Sequence, residues 1–176
     1  MRAWPLVLIC ACATRSPASP PPSSAPREAN GAAPHDAGAW LHDAGAWPRL
    51  SAALVGTWRG TDGLTLESSL ISRDSALVER WIAASGSETL NVFHPDGDGM
   101  VLTHYCAQGN QARLRATAAT DGVFVFEQQD VTNLAPGGEA LCRLEVRPRG
   151  DTLSLRETYC PGDGASVERI VHRVAP

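Results

Sequence analysis

Three polar side chains on one predicted β-hairpin, Asn91, His104 and Cys106, are of types that could bind a ligand or perform chemistry. If the hairpin turns near Gly97, even-register pairing places all three on one face, because side chains alternate along a strand. We expect them to line a cavity and to fix one end of a small, largely apolar ligand. The alternative is that they fill the interior or face solvent, satisfied by their neighbours. His94 falls on the opposite face, so we expect no metal site shared with His104.

The same residues define an enzymatic alternative. His104 and Cys106 are two positions apart on one strand and point the same way, which would suit a Cys–His nucleophile pair. The sequence offers no obvious oxyanion hole and no carboxylate to orient the histidine, so we favour a protein that is not an enzyme. All 15 basic residues are arginines, which excludes chemistry that needs a Schiff-base or P-loop lysine. The net charge is −4 and no basic stripe is present, so nucleic acid is not an expected partner.

After residue 54 the apolar residues recur with period two, which is typical of β-strands. Asp-Gly pairs and other glycine-containing turns separate the strands, and glycine favours tight hairpins because it tolerates positive φ. The pattern predicts an all-β fold, an antiparallel up-and-down meander of about ten strands, closed into a barrel because closure removes exposed edges. An open curled sheet or a sandwich is the alternative. One helical turn is expected over residues 49–54, and strands over 54–59, 64–71, 76–84, 88–94, 100–106, 112–118, 123–129, 141–147, 152–159 and 167–174.

The first predicted strand carries the motif Gly56-Thr57-Trp58, which resembles the G-x-W opening of the calycin superfamily of lipocalins, fatty-acid-binding proteins and nitrobindins. In that family the tryptophan closes one end of the barrel and is covered by an arginine from the last strand. The resemblance implies that Trp58 plugs the barrel against Arg169 or Arg173, which share one face of the last predicted strand. A guanidinium stacked on an indole makes a favourable cation–π contact.

Further segments, residues 94–98, 104–106 and 109–111, resemble uncharacterised bacterial secreted lipocalin-like proteins. The resemblance implies a calycin-like barrel that binds a small molecule inside, and ten strands should leave room for one. Nitrobindins bind haem through a histidine near the C-terminus, and His172 is the loosely matching residue. A haem-binding or enzymatic barrel that uses His172 or the His104/Cys106 pair is therefore the alternative; otherwise we expect no cofactor and no metal. A second alternative is a packed structural barrel of the cell envelope without a ligand.

Residues 1–13 resemble an export signal, with Arg2 at the positive end and a short apolar stretch after it. Residues 9–12 resemble a bacterial lipobox, so we expect Cys12 to be lipidated and to anchor the protein to a membrane. Residues 11–13 also resemble an A-x-A site for ordinary signal peptidase. No aspartate follows Cys12, so the expected location is the outer membrane or the cell surface, with a periplasmic or secreted protein as the alternative.

Residues 14–48 have the composition of a linker, rich in proline, serine and alanine. They contain the segment HDAGAW twice, at residues 35–40 and 42–47. Such a stretch has little to bury, and two copies are too few for a solenoid, so we expect a disordered tether. The barrel domain is expected to span residues 49–176.

Two cysteines, Cys142 and Cys160, flank the predicted hairpin that turns at residues 149–151. With a three-residue loop they lie directly opposite each other, whereas with a two-residue loop they miss by one position. In an oxidising compartment we expect them to form a disulfide, which leaves Cys106 free.

Overall fold

The fold is that of a computed structural model, which describes Asp43, residues 45–162 and residues 165–175. The expected export signal, the lipid site Cys12 and the first copy of HDAGAW lie outside these residues. The described chain forms one helix followed by ten strands. These elements are α1 Ala46–Leu54, β1 Gly56–Gly60, β2 Thr65–Ile71, β3 Ala76–Ile82, β4 Glu88–Asp96, β5 Gly99–Tyr105, β6 Gln111–Thr120, β7 Val123–Thr132, β8 Ala140–Arg149, β9 Thr152–Cys160 and β10 Ser166–Arg173.

The ten strands form a closed antiparallel barrel in which each strand pairs with its neighbours in the chain and β10 returns to pair with β1. The all-β meander closed into a barrel, expected from the period-two pattern, is thereby confirmed. We call the end next to α1 the helix end. We call the opposite end, which carries the loops at residues 61–64, 83–87 and 106–110, the cavity end.

Helix α1 packs against the barrel because one of its faces is apolar. Ala46, Leu50 and Leu54 recur at helical spacing, and all three are buried. The helix begins before residue 49, where the sequence suggested that the domain starts. The described part of the second HDAGAW copy forms its first turn, since the backbone amide of Ala46 donates to the carbonyl of Asp43 at 2.9 Å.

Trp47, in the same copy, belongs to the folded domain. Its ring packs against the hydrophobic core, and its Nε1 donates to the carbonyl of Asp74 at 3.3 Å. The amide of Gly45 also donates to Oδ1 of Asp43 at 2.9 Å. The folded domain therefore includes residues that composition alone assigned to the linker.

Trp58 is fully buried at the helix end. Its Nε1 donates to the carbonyl of Leu54 at 2.8 Å, and the guanidinium carbon of Arg173 lies 4.0 Å from the centroid of its ring. The same guanidinium donates to the carbonyls of Val55 at 2.7 Å and Ala53 at 3.1 Å. Carbonyls at the end of a helix have no partner within it, so Trp58 and Arg173 together cap α1 and fix it to the barrel.

Gly56 makes room for this arrangement. Its φ is +125°, and a Cβ there would lie 2.7 Å from Nη1 of Arg173. Arg169, the other arginine implied by the resemblance, lies farther along β10 toward the cavity end, where it binds Asp62 and Glu157. Among the two candidates, Arg173 is therefore the one that stacks on Trp58.

Apolar side chains fill the barrel between the helix end and its middle. Phe93 and Phe126 meet edge to face, with their ring centroids 5.5 Å apart. Around them lie buried leucines from six strands, Leu66, Leu77, Leu102, Leu114, Leu144 and Leu155. The interior is therefore packed in this half, and its polar groups gather toward the cavity end.

Cys142 and Cys160 form a disulfide, with their Cα atoms 5.7 Å apart. The hairpin turns through two residues, because Arg149 pairs directly with Thr152. That register alone would leave the cysteines one position out of step. A β-bulge between Leu141 and Arg143 leaves Cys142 as an extra residue and pairs Cys160 with Ala140, so the disulfide joins the bulged residue to a cysteine that is not directly opposite it. Cys106 is free.

Candidate functional site

Asn91 and His104 face each other directly across β4 and β5, and both are almost completely buried. His104 Nδ1 lies 2.8 Å from Asn91 Oδ1. Asn91 Nδ2 donates to Oε2 of Glu79 at 3.0 Å, which turns the amide oxygen toward the imidazole. His104 therefore carries its proton on Nδ1 and donates it to Asn91, which leaves Nε2 as a bare acceptor.

His104 is a neutral histidine at physiological pH. Burial lowers its pKa to about 4, because the charged imidazolium would lose its hydration. The ring of Tyr159 lies edge-on to the imidazole, with the centroids 6.5 Å apart. Among the described residues, His104 Nε2 is buried without a hydrogen-bond partner.

Glu79 is a buried acid that holds this part of the interior together. Its carboxylate accepts hydrogen bonds from Trp81 Nε1 at 2.6 Å and from Ser68 Oγ at 3.4 Å, in addition to the one from Asn91. Burial raises the pKa of Glu79, and the nearby charge of Glu157 adds to the shift. These hydrogen bonds to Glu79 fix the orientations of Trp81 and Asn91.

A cavity of about 150 Å³ opens at the cavity end, above this network. Its walls include the aromatic side chains of Trp81 and Tyr159 and the ionisable residues Asp62, Glu157 and Arg169. Arg169 donates from Nε to Glu157 Oε2 at 2.8 Å and from Nη1 to Asp62 Oδ2 at 3.1 Å. Tyr159 donates its hydroxyl to Glu157 Oε1 at 2.9 Å. Hydrogen bonds to one another therefore hold the side chains of Asp62, Glu157, Tyr159 and Arg169 in place.

The three residues expected to bind a ligand lie close to this cavity but do not form its walls. Asn91 and His104 are buried, and they support the wall through Glu79 and Trp81. Cys106 follows β5 directly and is half-buried, and its sulfur accepts a hydrogen bond from the amide of Gln108 at 3.5 Å. No hydrogen bond joins its sulfur to His104 within the described chain, so the structure does not assemble a nucleophile and base from this pair.

Sequence reasoning missed the acids and aromatic residues of the site. Leu77, Glu79 and Trp81 follow one another at every second position of β3, and Leu155, Glu157 and Tyr159 do so on β9. Period two on these strands places each acid on the same face as a buried leucine. An acid at an inward position was therefore the available signal.

The two remaining histidine candidates lie on the outside of the barrel. His172 is exposed on β10, with Nδ1 3.3 Å from Thr152 Oγ1, and His94 donates from Nδ1 to the carbonyl of Pro95 at 3.0 Å. The cavity of about 150 Å³ is too small for a porphyrin, and His172 does not reach it. His172 and this cavity therefore do not form a haem site together. Within residues 43, 45–162 and 165–175, no three His, Cys, Asp or Glu side chains are grouped as a metal site.

The described part of the chain contains no helix long and apolar enough to cross a membrane. No protein-family model and no curated protein matches the chain. Among solved structures, the chain is similar to that reported as the crystal structure of Rv2717c from M. tuberculosis, with 19% identity and a TM-score of 0.48. The match covers 73% of this chain and 98% of that chain.

Proposed function

We propose that this protein is a binding module whose barrel takes a small molecule at the cavity end. The observation that carries the proposal is the cavity itself, about 150 Å³ in volume, with walls made of two fixed aromatic rings and three ionisable side chains. Ligand sites combine apolar walls with a few oriented polar groups. Because hydrogen bonds already hold these walls in place, their side chains lose less conformational entropy when a ligand binds.

The cavity dimensions restrict the ligand. Drug-sized ligands occupy roughly 300–1,000 Å³, whereas an engineered cavity of ~150 Å³ holds benzene. A cavity of about 150 Å³ therefore accepts a molecule, or one end of a molecule, of about six non-hydrogen atoms. The sequence suggested a largely apolar ligand, but Asp62, Glu157 and Arg169 favour one with a polar or charged group.

The proposal can be tested by screening small fragments with protein-observed NMR. Binders should perturb the indole N–H signal of Trp81. Thr89 also lines the cavity, so Thr89→Phe should fill it and abolish binding. Thr103, which lies on a neighbouring strand and borders an outer groove, provides the matched control, and Thr103→Phe should leave binding unchanged. If no fragment perturbs Trp81, the barrel is a packed structural protein and the proposal fails.

We also propose that the protein is exported and anchored to the outer membrane or the cell surface through a lipid on Cys12. The sequence of residues 1–13 supports this, as does the disulfide between Cys142 and Cys160, because disulfides persist in oxidising compartments. Cys12→Ser should move the protein from the membrane fraction to the soluble fraction. A protein that remains in the membrane fraction after this substitution would contradict the anchor.

A further inference from the structure

The charges around the cavity do not balance. Its lining contains two carboxylates, Asp62 and Glu157, but a single guanidinium, that of Arg169. Both carboxylates already bind Arg169, at 3.1 Å and 2.8 Å respectively. The guanidinium is therefore neutralised by one carboxylate, and the second leaves an excess negative charge at the cavity wall.

No other ionisable side chain of the described site compensates for this charge. Tyr159 stays protonated, because burial and the charge of Glu157 raise its pKa. His104, which lies behind Tyr159, is neutral, because burial lowers its pKa to about 4. Glu79 lies deeper, and in its ionised form it adds negative charge. An anion in the cavity would meet this excess of carboxylates, whereas a cation would be attracted to it.

The aromatic walls favour the same kind of ligand. A cation near the face of a tryptophan or tyrosine is attracted by the ring quadrupole, most strongly where water is excluded. Trp81 and Tyr159 both line the cavity, and each donates its polar hydrogen to a carboxylate, Trp81 to Glu79 and Tyr159 to Glu157. Because these donors are already used, the rings offer the ligand mainly their apolar and π surfaces.

We propose that the ligand of this cavity is a small organic cation, namely a short branched amine or a quaternary ammonium group. This inference rests on the proposed binding function and specifies its ligand class. Glu157 and Asp62 supply the negative charge, Trp81 and Tyr159 supply the aromatic walls, and the volume of about 150 Å³ admits a headgroup of tert-butylammonium size.

Three probes that carry the same tert-butyl group and differ in charge test the inference: tert-butylammonium and tert-butanol, which match in size, and pivalate, which is larger by two non-hydrogen atoms. Each is titrated into the full-length protein by calorimetry at constant ionic strength. The cation should bind about tenfold more tightly than the alcohol, since a carboxylate and two rings favour it. Pivalate should show no binding. Equal affinities for the cation and the alcohol, or tighter binding of pivalate, would overturn the inference and leave the binding function standing.

Variants of single carboxylates test whether the preference for the cation arises at this cavity. Glu157→Gln should weaken tert-butylammonium about tenfold and leave tert-butanol unchanged, and Asp62→Asn, at the exposed rim, should weaken the cation by a smaller factor. Glu127→Gln is the matched control, because Glu127 pairs with Arg143 on the outer face and its loss changes the net charge equally. If Glu127→Gln weakens the cation as much as Glu157→Gln does, binding is non-specific and the inference fails. If none of the three probes binds the parent protein, both the inference and the binding function at this cavity fail.

Discussion

Replacement of Arg173 by methionine tests how the helix end is held together. Methionine keeps an apolar chain over the indole of Trp58 but removes the guanidinium. That group stacks 4.0 Å from the ring centroid and donates to the carbonyls of Val55 and Ala53. The variant therefore loses one cation–π contact and leaves two helix-end carbonyls without their donor.

The expected loss follows from these contacts. A hydrogen bond that involves a charged group contributes about 1.5–3 kcal/mol, and a partly buried cation–π contact about 1 kcal/mol. The Arg173 side chain is 30% exposed, so water replaces part of what is lost. We expect Arg173→Met to lower the free energy of unfolding by about 2–4 kcal/mol. At roughly 4 °C per kcal/mol for a domain of this size, the melting temperature should fall by about 8–16 °C.

Thermal melts and urea titrations of the purified protein measure this change. The matched control is Arg156→Met on β9, because Arg156 is exposed and forms an ion pair with Glu168, 3.6 Å long. Such pairs contribute at most about 1 kcal/mol. If Arg173→Met melts within a degree or two of Arg156→Met, the arginine does not fix α1 to the barrel and the reasoning is wrong.

Two further substitutions test the interior and the covalent link. His104 has a folded pKa of about 4 against an ordinary value of 6.5, so the unfolded chain takes up the proton first and stability falls as the pH drops through this range. Between pH 7 and pH 5, the free energy of unfolding measured in urea should therefore fall by roughly 2 kcal/mol less in His104→Gln than in the parent. The pKa of Glu79 shifts in the opposite direction, but Glu79 is present in both proteins. Equal losses of stability would contradict the assignment of a neutral, buried His104. Cys142→Ser should cost about 3 kcal/mol in non-reducing buffer by removing the link to Cys160. With reductant the parent and the variant should unfold together, and a non-reduced parent no more stable than the variant would argue against the disulfide.

The fold was predictable from local features of the sequence. The period-two pattern and the Asp-Gly turns, such as Asp121-Gly122 between β6 and β7, act over short distances and predict strands and hairpins. A chain of short antiparallel hairpins then has few arrangements available, and closure is the one that leaves no edge. The short helical turn expected before β1 is also present, although the observed helix α1 begins earlier.

Details that depend on register were not predictable in the same way. A bulge at Cys142 leaves no clear mark in the sequence, yet it decides which residues face each other across β8 and β9. The start of α1 was hidden by the alanine- and glycine-rich composition of the second HDAGAW copy. Trp47 anchors this segment by packing on the core, a tertiary contact that composition does not reveal.

Arg169 and Arg173 show why residue type alone did not define the site. Both lie on the inward face of β10, and the sequence offered either as the partner of Trp58. Arg173 lies next to the end of α1, where backbone carbonyls and an indole satisfy its charge. Arg169 lies where β1 and β9 supply Asp62 and Glu157, the first just beyond its strand. Arg173 thus stabilises the fold at the helix end. Arg169 instead forms part of the wall at the cavity end, where one carboxylate remains unbalanced.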